Sequence, residues 1–208
     1  MSIATHCLQA ESIACQRGGR VLFERLSFEL GAGEVLQVVG ANGSGKTTLL
    51  RILCGLRTPD EGRVLWQRQS IDVADEALTE SLSYLGFLSA LNLELSPREN
   101  LEFAATLARC CRVGLRQALV QVRLAAYEDV PCRQLSTGQL RRVALARLLM
   151  QGAPLWILDE PLTGLDQASR ADFEQALFDH AGEGGLVILT THHPLSGDKR
   201  LKRLELGR

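Results

Sequence analysis

The chain has 208 residues, of which 46% are hydrophobic, and its 23 basic and 24 acidic side chains give a formal net charge of −1. Such a length predicts one domain with a small appended lobe, and the balanced charge excludes the clearly basic surface that nucleic-acid binding normally requires. No apolar run approaches the ~20 residues that span a bilayer and no signal peptide is recognisable, so we expect a protein that starts in the cytosol.

The first predicted elements are three short strands. Residues 8–13, 21–30 and 63–66 have the composition of strands and are flanked by glycines. Strands joined by glycine turns favour antiparallel pairing. The sequence therefore predicts an antiparallel sheet in the N-terminal third of the chain.

A glycine-rich loop with the pattern G-x-x-x-x-G-K-T lies between a predicted buried strand at residues 34–39 and a predicted helix at 48–53. This context is typical of a phosphate-binding loop, whose N–H groups and following helix dipole attract anions. We expect Lys46 to reach the β- and γ-phosphates of a nucleotide and the Thr47 hydroxyl to bind Mg²⁺. The predicted nucleotide-binding positions are Gly40, Ala41, Asn42, Gly43, Ser44, Gly45, Lys46, Thr47 and Thr48.

The pattern becomes helical from Ser96 onward. Ser96 can cap a helix, Pro97 suits the first helical position, and Glu99 completes a capping box. The helical signal continues to about residue 128. We predict a helical lobe over about residues 96–140, inserted into the catalytic core.

Two continuous apolar runs, residues 155–158 and 186–189, predict parallel strands covered on both faces. The first places Asp159 and Glu160 at the carboxyl edge of the sheet, where ligands bind in open α/β folds. Asp159 is predicted to hold Mg²⁺, and Glu160 to accept a proton from an attacking water. The second strand brings His192 to the same edge, where a histidine can contact a γ-phosphate.

Residues 135–149 begin with L-S-T-G-Q-x-R-R at the start of a predicted helix. This segment resembles the signature motif of the ATP-binding-cassette ATPases. The other motifs of that family follow in order, with Walker A at 40–47, Walker B at 155–160, a D-loop at 163–166 and an H-loop at His192. The resemblance covers essentially the whole chain. It implies a single ATP-binding domain over residues 1–208, with the α/β fold of P-loop NTPases: a mainly parallel core sheet, an antiparallel β subdomain and a small α-helical lobe.

The resemblance also implies ATP hydrolysis with Mg²⁺ and a homodimer of this subunit. In the family, each of two ATP molecules lies between the phosphate loop of one subunit and the signature helix of the other. A hydroxyl and free N–H groups at a helix start suit such an anion clamp. The positions that the resemblance assigns to the clamp are Ser136, Gly138, Gln139 and Asp166.

Three positions depart from the family pattern. Arg17 stands where an aromatic residue usually stacks on adenine, and a guanidinium plane can stack on a base as well. Leu88 aligns with the Q-loop glutamine, which in the family helps to bind Mg²⁺ and links the nucleotide to the transport partner. Thr137 replaces a glycine of the signature.

Several strings are similar to the ATPase subunits of the bacterial cytochrome c maturation system: residues 17–28, 50–56, 141–148 and 189–195. This similarity implies a haem-handling exporter with separate transmembrane subunits of the CcmB and CcmC type. The chain would then lie peripherally on the cytoplasmic side of the inner membrane. It shows no haem-ligand site of its own, because His6 and Cys7 are adjacent but lack the C-x-x-C-H spacing.

In the family, a groove between the core and the helical lobe receives a short cytoplasmic helix of the membrane subunit. We expect residues 85–95 to line that groove, because they are more apolar than a solvated loop requires. Alternatively, these side chains fill the core of the lobe. The apolar residues concerned are Phe87, Leu88, Leu91, Leu93 and Leu95.

Two other functions remain open. The chain could be the nucleotide-binding subunit of another small exporter, or an ATP-binding regulatory module with weak turnover. A cassette protein that acts on DNA or ribosomes is disfavoured, since the chain has neither a long coiled coil nor two cassettes in tandem.

Overall fold

The computed structural model describes residues 6–73, 75–86, 91–107, 113–195 and 198–207. In these ranges the chain forms two β-sheets surrounded by helices. The strands are β1 (Cys7–Arg17), β2 (Arg20–Gly31), β3 (Val35–Val39), β4 (Glu61–Trp66), β5 (Gln69–Ser70), β6 (Leu82–Leu85), β7 (Leu155–Asp159), β8 (Leu186–Thr190) and β9 (Leu201–Glu205). The helices are α1 (Lys46–Leu53), α2 (Glu76–Ser81), α3 (Pro97–Leu107), α4 (Leu115–Gln121), α5 (Thr137–Gln151) and α6 (Gln167–Gly182).

The larger sheet has the strand order β6-β7-β8-β3-β9, and all of its neighbouring strands are parallel. Every residue of β7 and β8 is buried. Such burial explains why both segments read as continuous apolar runs in the sequence. The predicted strands at residues 155–158 and 186–189 are confirmed, and each extends one residue further.

Alternate residues of the parallel strands pack into two separate cores. Trp156 and Leu158 of β7 belong to a core shared with α3, α4, α5 and α6. Leu155 and Ile157 belong to the other core, which contains α1 and the inner face of the smaller sheet. The strand period of two residues therefore places one core on each face of the parallel sheet.

The smaller sheet is antiparallel, with the strand order β2-β1-β4-β5. Its three predicted strands are confirmed, but β1 continues to Arg17. The alternation of buried and exposed residues along β1 is interrupted at Ser12, where φ is 48° and the pairing with β2 shifts. Gly18 and Gly19 then form the hairpin turn with φ of 56° and 75°, which glycine tolerates at low cost. Arg17 thus lies at the end of a strand, immediately before a tight turn.

The predicted capping box at the start of α3 is confirmed. Ser96 N–H donates to Glu99 Oε2 at 2.7 Å, and Glu99 N–H donates to Ser96 Oγ at 3.2 Å. Leu101 of α3 and Leu119 of α4 are buried in the same core as α5. The predicted α/β fold with a parallel sheet, an antiparallel sheet and helices is confirmed. The boundaries of a lobe at about 96–140 stay a prediction.

None of the helices in the described ranges has the length and apolar character needed to cross a membrane.

Candidate active site

The phosphate-binding loop connects β3 to α1 at the carboxyl edge of the parallel sheet. Its backbone is left-handed at Gly43 and Gly45, with φ of 80° and 100°. A Cβ at Gly40 would lie 2.6 Å from Ser44 Oγ and 2.7 Å from the Leu206 carbonyl oxygen. The tight curl of the loop therefore requires glycine, and it brings the loop directly before the positive N-terminal end of α1.

Lys46 crosses the loop from the first turn of α1. Its Nζ donates to the carbonyl oxygen of Gly40 at 2.7 Å and to that of Ala41 at 3.2 Å. The ammonium is thereby held within the loop, where an anion bound by the loop would meet it.

A cavity of about 630 Å³ opens over this loop. It brings together residues from the hairpin end, the phosphate loop and the carboxyl ends of β7 and β8. Arg17, predicted to contact adenine, lies at this cavity. The lining residues are Arg17, Leu22, Asn42, Gly43, Gly45, Lys46, Thr47, Thr48, Asp159, Glu160, Thr163 and His192.

Thr47 and Asp159 meet at the floor of the cavity. The Thr47 hydroxyl donates to Asp159 Oδ2 at 2.7 Å, and Asp159 is almost fully buried. Both groups offer oxygen atoms, which Mg²⁺ prefers, so these two residues fit the predicted metal role. In the part of the chain that the structure describes, no three His, Cys, Asp or Glu side chains form a metal cluster. A Mg²⁺ ion here would take its remaining ligands from water and phosphate oxygens, as is usual for this ion.

Glu160 follows Asp159 in a left-handed conformation with φ of 50°. Its Oε1 lies 3.3 Å from His192 Nε2, and its Oε2 accepts a hydrogen bond of 3.4 Å from the Thr163 hydroxyl. The side chain is mostly buried, whereas that of His192 is mostly exposed. The predicted base and the predicted γ-phosphate contact therefore face each other at the cavity wall.

The predicted clamp residues of the signature motif lie elsewhere. Ser136 and Gln139 form a capping box at the start of α5, with Ser136 N–H donating to Gln139 Oε1 at 2.8 Å. Gly138 lies close to the D-loop, because a Cβ there would be 2.8 Å from the Gly164 carbonyl oxygen. None of these three residues lines the cavity over the phosphate loop of the same chain.

Asp166 is also outside that cavity. Its carboxylate caps α6 by accepting a hydrogen bond of 2.8 Å from Ser169 N–H, and it forms an ion pair with Arg142 of α5. The Ser169 hydrogen bond and the nearby guanidinium both lower the pKa of Asp166 below its usual value. The D-loop is therefore joined to the helix of the signature motif.

Leu88, which aligns with the Q-loop glutamine, and Phe87 lie outside the described residues. Within the described part, Leu91 and Leu95 line a cavity of about 300 Å³ together with Phe103 and Ala104. Leu93 is exposed. Leu91 and Leu95 are therefore half-buried at this cavity, whereas Leu93 faces solvent.

Sequence reasoning missed Arg141, which is buried in the first turns of α5. Its guanidinium donates to three consecutive carbonyl oxygens: Pro161 at 3.2 Å, Asp159 at 2.9 Å and Glu160. It also donates to the Gly86 carbonyl oxygen at 3.1 Å, just after β6. Burial lowers the pKa of Arg141. The available signal was a charged residue at helical spacing from buried Leu145 and Leu148.

Sequence reasoning also gave no role to Thr190, the last residue of β8. Its hydroxyl donates to Asp159 Oδ1 at 2.6 Å and accepts from Glu160 N–H at 2.9 Å. A polar residue at the end of an otherwise apolar strand was the signal for it.

Comparisons with known proteins agree with the motifs. The family profile for ABC transporters matches residues 23–163. The chain is 50% identical over 197 residues to the cytochrome c biogenesis ATP-binding export protein CcmA of Pseudomonas syringae, covering 94% of this chain and 92% of that protein. It is 45% identical to the CcmA protein of Vibrio cholerae, covering 96% of this chain and 98% of that one.

The fold matches solved structures as well. A dimeric ATP-binding cassette bound to ADP and phosphate, in a post-hydrolysis state, superposes with a TM-score of 0.80 at 24% identity. The match covers 97% of both chains. The predicted cassette fold is thus confirmed over nearly all of the chain. The chain belongs to the ABC transporter family, within which it falls among the CcmA proteins.

Proposed function

We propose that this chain is the ATP-hydrolysing subunit of an export complex for haem handling in cytochrome c biogenesis. The observation that carries this proposal is its identity of 45–50% with CcmA proteins over more than nine-tenths of both chains. The chemistry of the site supports it, since Lys46, Thr47, Asp159 and Glu160 surround one cavity. Those groups suit hydrolysis as well as binding.

Each of these side chains has a separate role in the proposed reaction. The phosphate loop and Lys46 bind the phosphates, and Glu160 accepts the proton of the attacking water. The water oxygen forms a bond to the γ-phosphorus, the bond to the bridging oxygen breaks, and ADP and phosphate leave. Thr47 and Asp159 would hold Mg²⁺, which when bound neutralises phosphate charge.

His192 is proposed to orient Glu160 and to contact the γ-phosphate. The 3.3 Å separation of His192 Nε2 and Glu160 Oε1 supports this pairing. The exposed imidazole can turn toward a bound nucleotide without leaving the cavity wall. Arg17 at the rim of the cavity is proposed to stack on adenine.

The active form is proposed to be a homodimer. Ser136, Gly138 and Gln139 lie outside the cavity of their own chain, although they resemble an ATP clamp. Ser136 is exposed at the N-terminal end of a 15-residue helix. A second copy could therefore place its own phosphate-loop cavity against this helix end, with ATP between the two.

The membrane partners are proposed to be transmembrane subunits of the CcmB and CcmC type, with this chain peripheral on the cytoplasmic side of the inner membrane. The cavity beside Phe103 supports a docking site for a short cytoplasmic helix. Phe103 is 63% exposed, and the floor of the cavity contains partly buried Leu91 and Leu95. Asn92, Asn100, Arg147 and Gln151 provide polar groups around it.

Complementation tests the proposal. The chain is expressed in a bacterium that lacks its own CcmA, and covalent haem attachment to c-type cytochromes is measured by haem staining. We expect restored cytochromes with the wild-type chain and none with Lys46→Ala. Normal phosphate release by purified protein without restored cytochromes would favour another small exporter. Binding of ATP with negligible phosphate release would favour the regulatory module.

A further inference from the structure

Thr190 ends β8 directly opposite Asp159 of β7 in the parallel register. Its side chain has no solvent exposure. The single hydroxyl serves two neighbours at once, because it donates to Asp159 Oδ1 at 2.6 Å and accepts from Glu160 N–H at 2.9 Å. A threonine hydroxyl has one proton to donate, so these two contacts fix its rotation.

The Asp159 carboxylate is held at both oxygens. Thr47 occupies Oδ2 and Thr190 occupies Oδ1. The orientation of the carboxylate is therefore set by two hydroxyls, one at each oxygen. Without the Thr190 hydroxyl, the carboxylate could rotate about its terminal torsion, which is intrinsically soft.

The Glu160 backbone needs similar support. A non-glycine residue with φ of 50° is uncommon and persists where the surrounding structure holds it. Glu160 N–H points at Thr190, with the hydroxyl oxygen at 2.9 Å and the carbonyl oxygen at 3.2 Å. Thr190 therefore accepts the hydrogen bonds of the Glu160 N–H, which this turn directs toward β8.

Arg141 holds the same turn from the other side. Its guanidinium donates to carbonyl oxygens of this turn, including those of Asp159 and Glu160. Loss of the Thr190 hydroxyl should thus leave the path of the turn supported. What changes is the orientation of the Asp159 carboxylate and of the Glu160 N–H.

We propose that Thr190 is a positioning residue, whose hydroxyl holds the Asp159 carboxylate and the Glu160 backbone in one fixed arrangement facing the phosphate cavity. The inference rests on the proposed roles of Asp159 and Glu160. It assigns a function in the site to a residue that is not itself part of the cavity lining.

The test compares Thr190→Val, which keeps the shape and removes the hydroxyl, with Thr190→Ser, which keeps the hydroxyl. Misplacement of catalytic groups by about 1 Å can lower rates by ~10²-fold, so we expect kcat for ATP hydrolysis to fall by ~10- to 100-fold in Thr190→Val. Because the assay contains Mg²⁺, the KM for ATP should rise by at most the factor by which Mg²⁺ tightens ATP binding to the wild type. Thr190→Ser should stay within about threefold of the wild-type rate.

A binding measurement separates positioning from a general loss of structure. ATP affinity is measured by titration with and without Mg²⁺. Thr190→Val should keep the affinity for metal-free ATP but lose most of the additional ATP affinity that Mg²⁺ gives. Thr190→Ser should keep that additional affinity. If the valine variant folds poorly, Thr190→Ala provides the same comparison.

Ser83→Ala is the matched control. Ser83 is a buried hydroxyl on β6 of the same sheet, and it donates to Gln151 Oε1 at 3.0 Å without contacting Asp159 or Glu160. We expect its rate and its Mg²⁺ response to match the wild type. An equal loss in Ser83→Ala would show that any buried hydroxyl of this sheet has the effect, which would overturn the inference.

The variants Asp159→Asn and Glu160→Gln test the proposed catalytic site separately from the positioning role of Thr190. If both stop turnover while Thr190→Val stays within twofold of the wild type with its Mg²⁺ response intact, the positioning role is wrong and the proposed site stands. If both keep turnover, the proposed site itself is wrong. A fall in Thr190→Ser as large as in Thr190→Val would also contradict the role of the hydroxyl.

Discussion

The Thr47 hydroxyl donates a 2.7 Å hydrogen bond to Asp159 Oδ2, although the two residues are 112 positions apart. The contact joins the first turn of α1 to the carboxyl end of β7. It therefore connects the phosphate loop to the strand that carries Asp159 and Glu160. Because β8 lies between β3 and β7, the loops after all three strands open onto one cavity.

Lys46→Ala should weaken nucleotide binding itself. The ammonium crosses the phosphate loop and would be the nearest positive side chain to the phosphates. Titration of purified protein with ATP is the measurement. Unchanged ATP affinity would contradict the assignment of this loop, while a similar change at Lys202→Ala, which pairs with Glu34 away from the cavity, would show that general charge is responsible.

Arg141→Met should lower the free energy of unfolding by about 2–4 kcal/mol, because it leaves several carbonyl oxygens without their donor in a buried site. Chemical denaturation of the wild type and the variant measures this free energy of unfolding. Arg133→Met is the control, since Arg133 forms an exposed ion pair with Glu94. Such pairs contribute at most about 1 kcal/mol. Equal effects of the two substitutions would mean that Arg141 does not support the turn at Glu160.

ATP should convert Glu160→Gln protein from monomer to dimer, because hydrolysis no longer separates the two copies. Adding Ser136→Arg should abolish this shift by placing bulk at the exposed start of α5. Thr79→Arg on exposed α2 is the control and should leave the dimer intact. Light scattering with and without ATP distinguishes the species. The absence of any ATP-dependent dimer, even with membrane subunits supplied, would argue for another arrangement.

Phe103→Asp should release the protein from membranes that contain its partner subunits, while ATP binding in solution persists. The matched control is Val120→Asp, because Val120 is also an exposed apolar helix residue, at 56%, but lies outside the cavity beside Phe103. Co-sedimentation measures the bound fraction. Equal retention of both variants would remove this cavity as the docking site.

The hydrophobic pattern sufficed to predict β7 and β8, because a strand covered on both faces needs an apolar residue at every position. The phosphate loop was equally predictable, since its glycines and Lys46 lie within eight consecutive residues and their roles follow from local backbone geometry. The end of β1 could not be predicted in this way. Its bulge at Ser12 shifts the buried positions from Leu8 and Ala10 to Ile13 and Cys15, which breaks a simple alternation.

The partners of Arg141 and Thr190 could not be predicted from the sequence. Arg141 reaches carbonyl oxygens 18 to 55 positions away, which only the packing of α5 against the strand ends brings near. The Thr190 hydroxyl meets Asp159 because of the register between β7 and β8. A shift of one residue would turn it to the opposite face of the sheet.

Single-turnover and steady-state phosphate release from Glu160→Gln tests the central claim most directly. We expect a fall of ~10²- to 10⁴-fold in rate with ATP affinity preserved, because the base is lost while the phosphate loop and Lys46 remain. A variant that keeps more than half of the wild-type rate would contradict the role of Glu160 and the hydrolytic mechanism built on it.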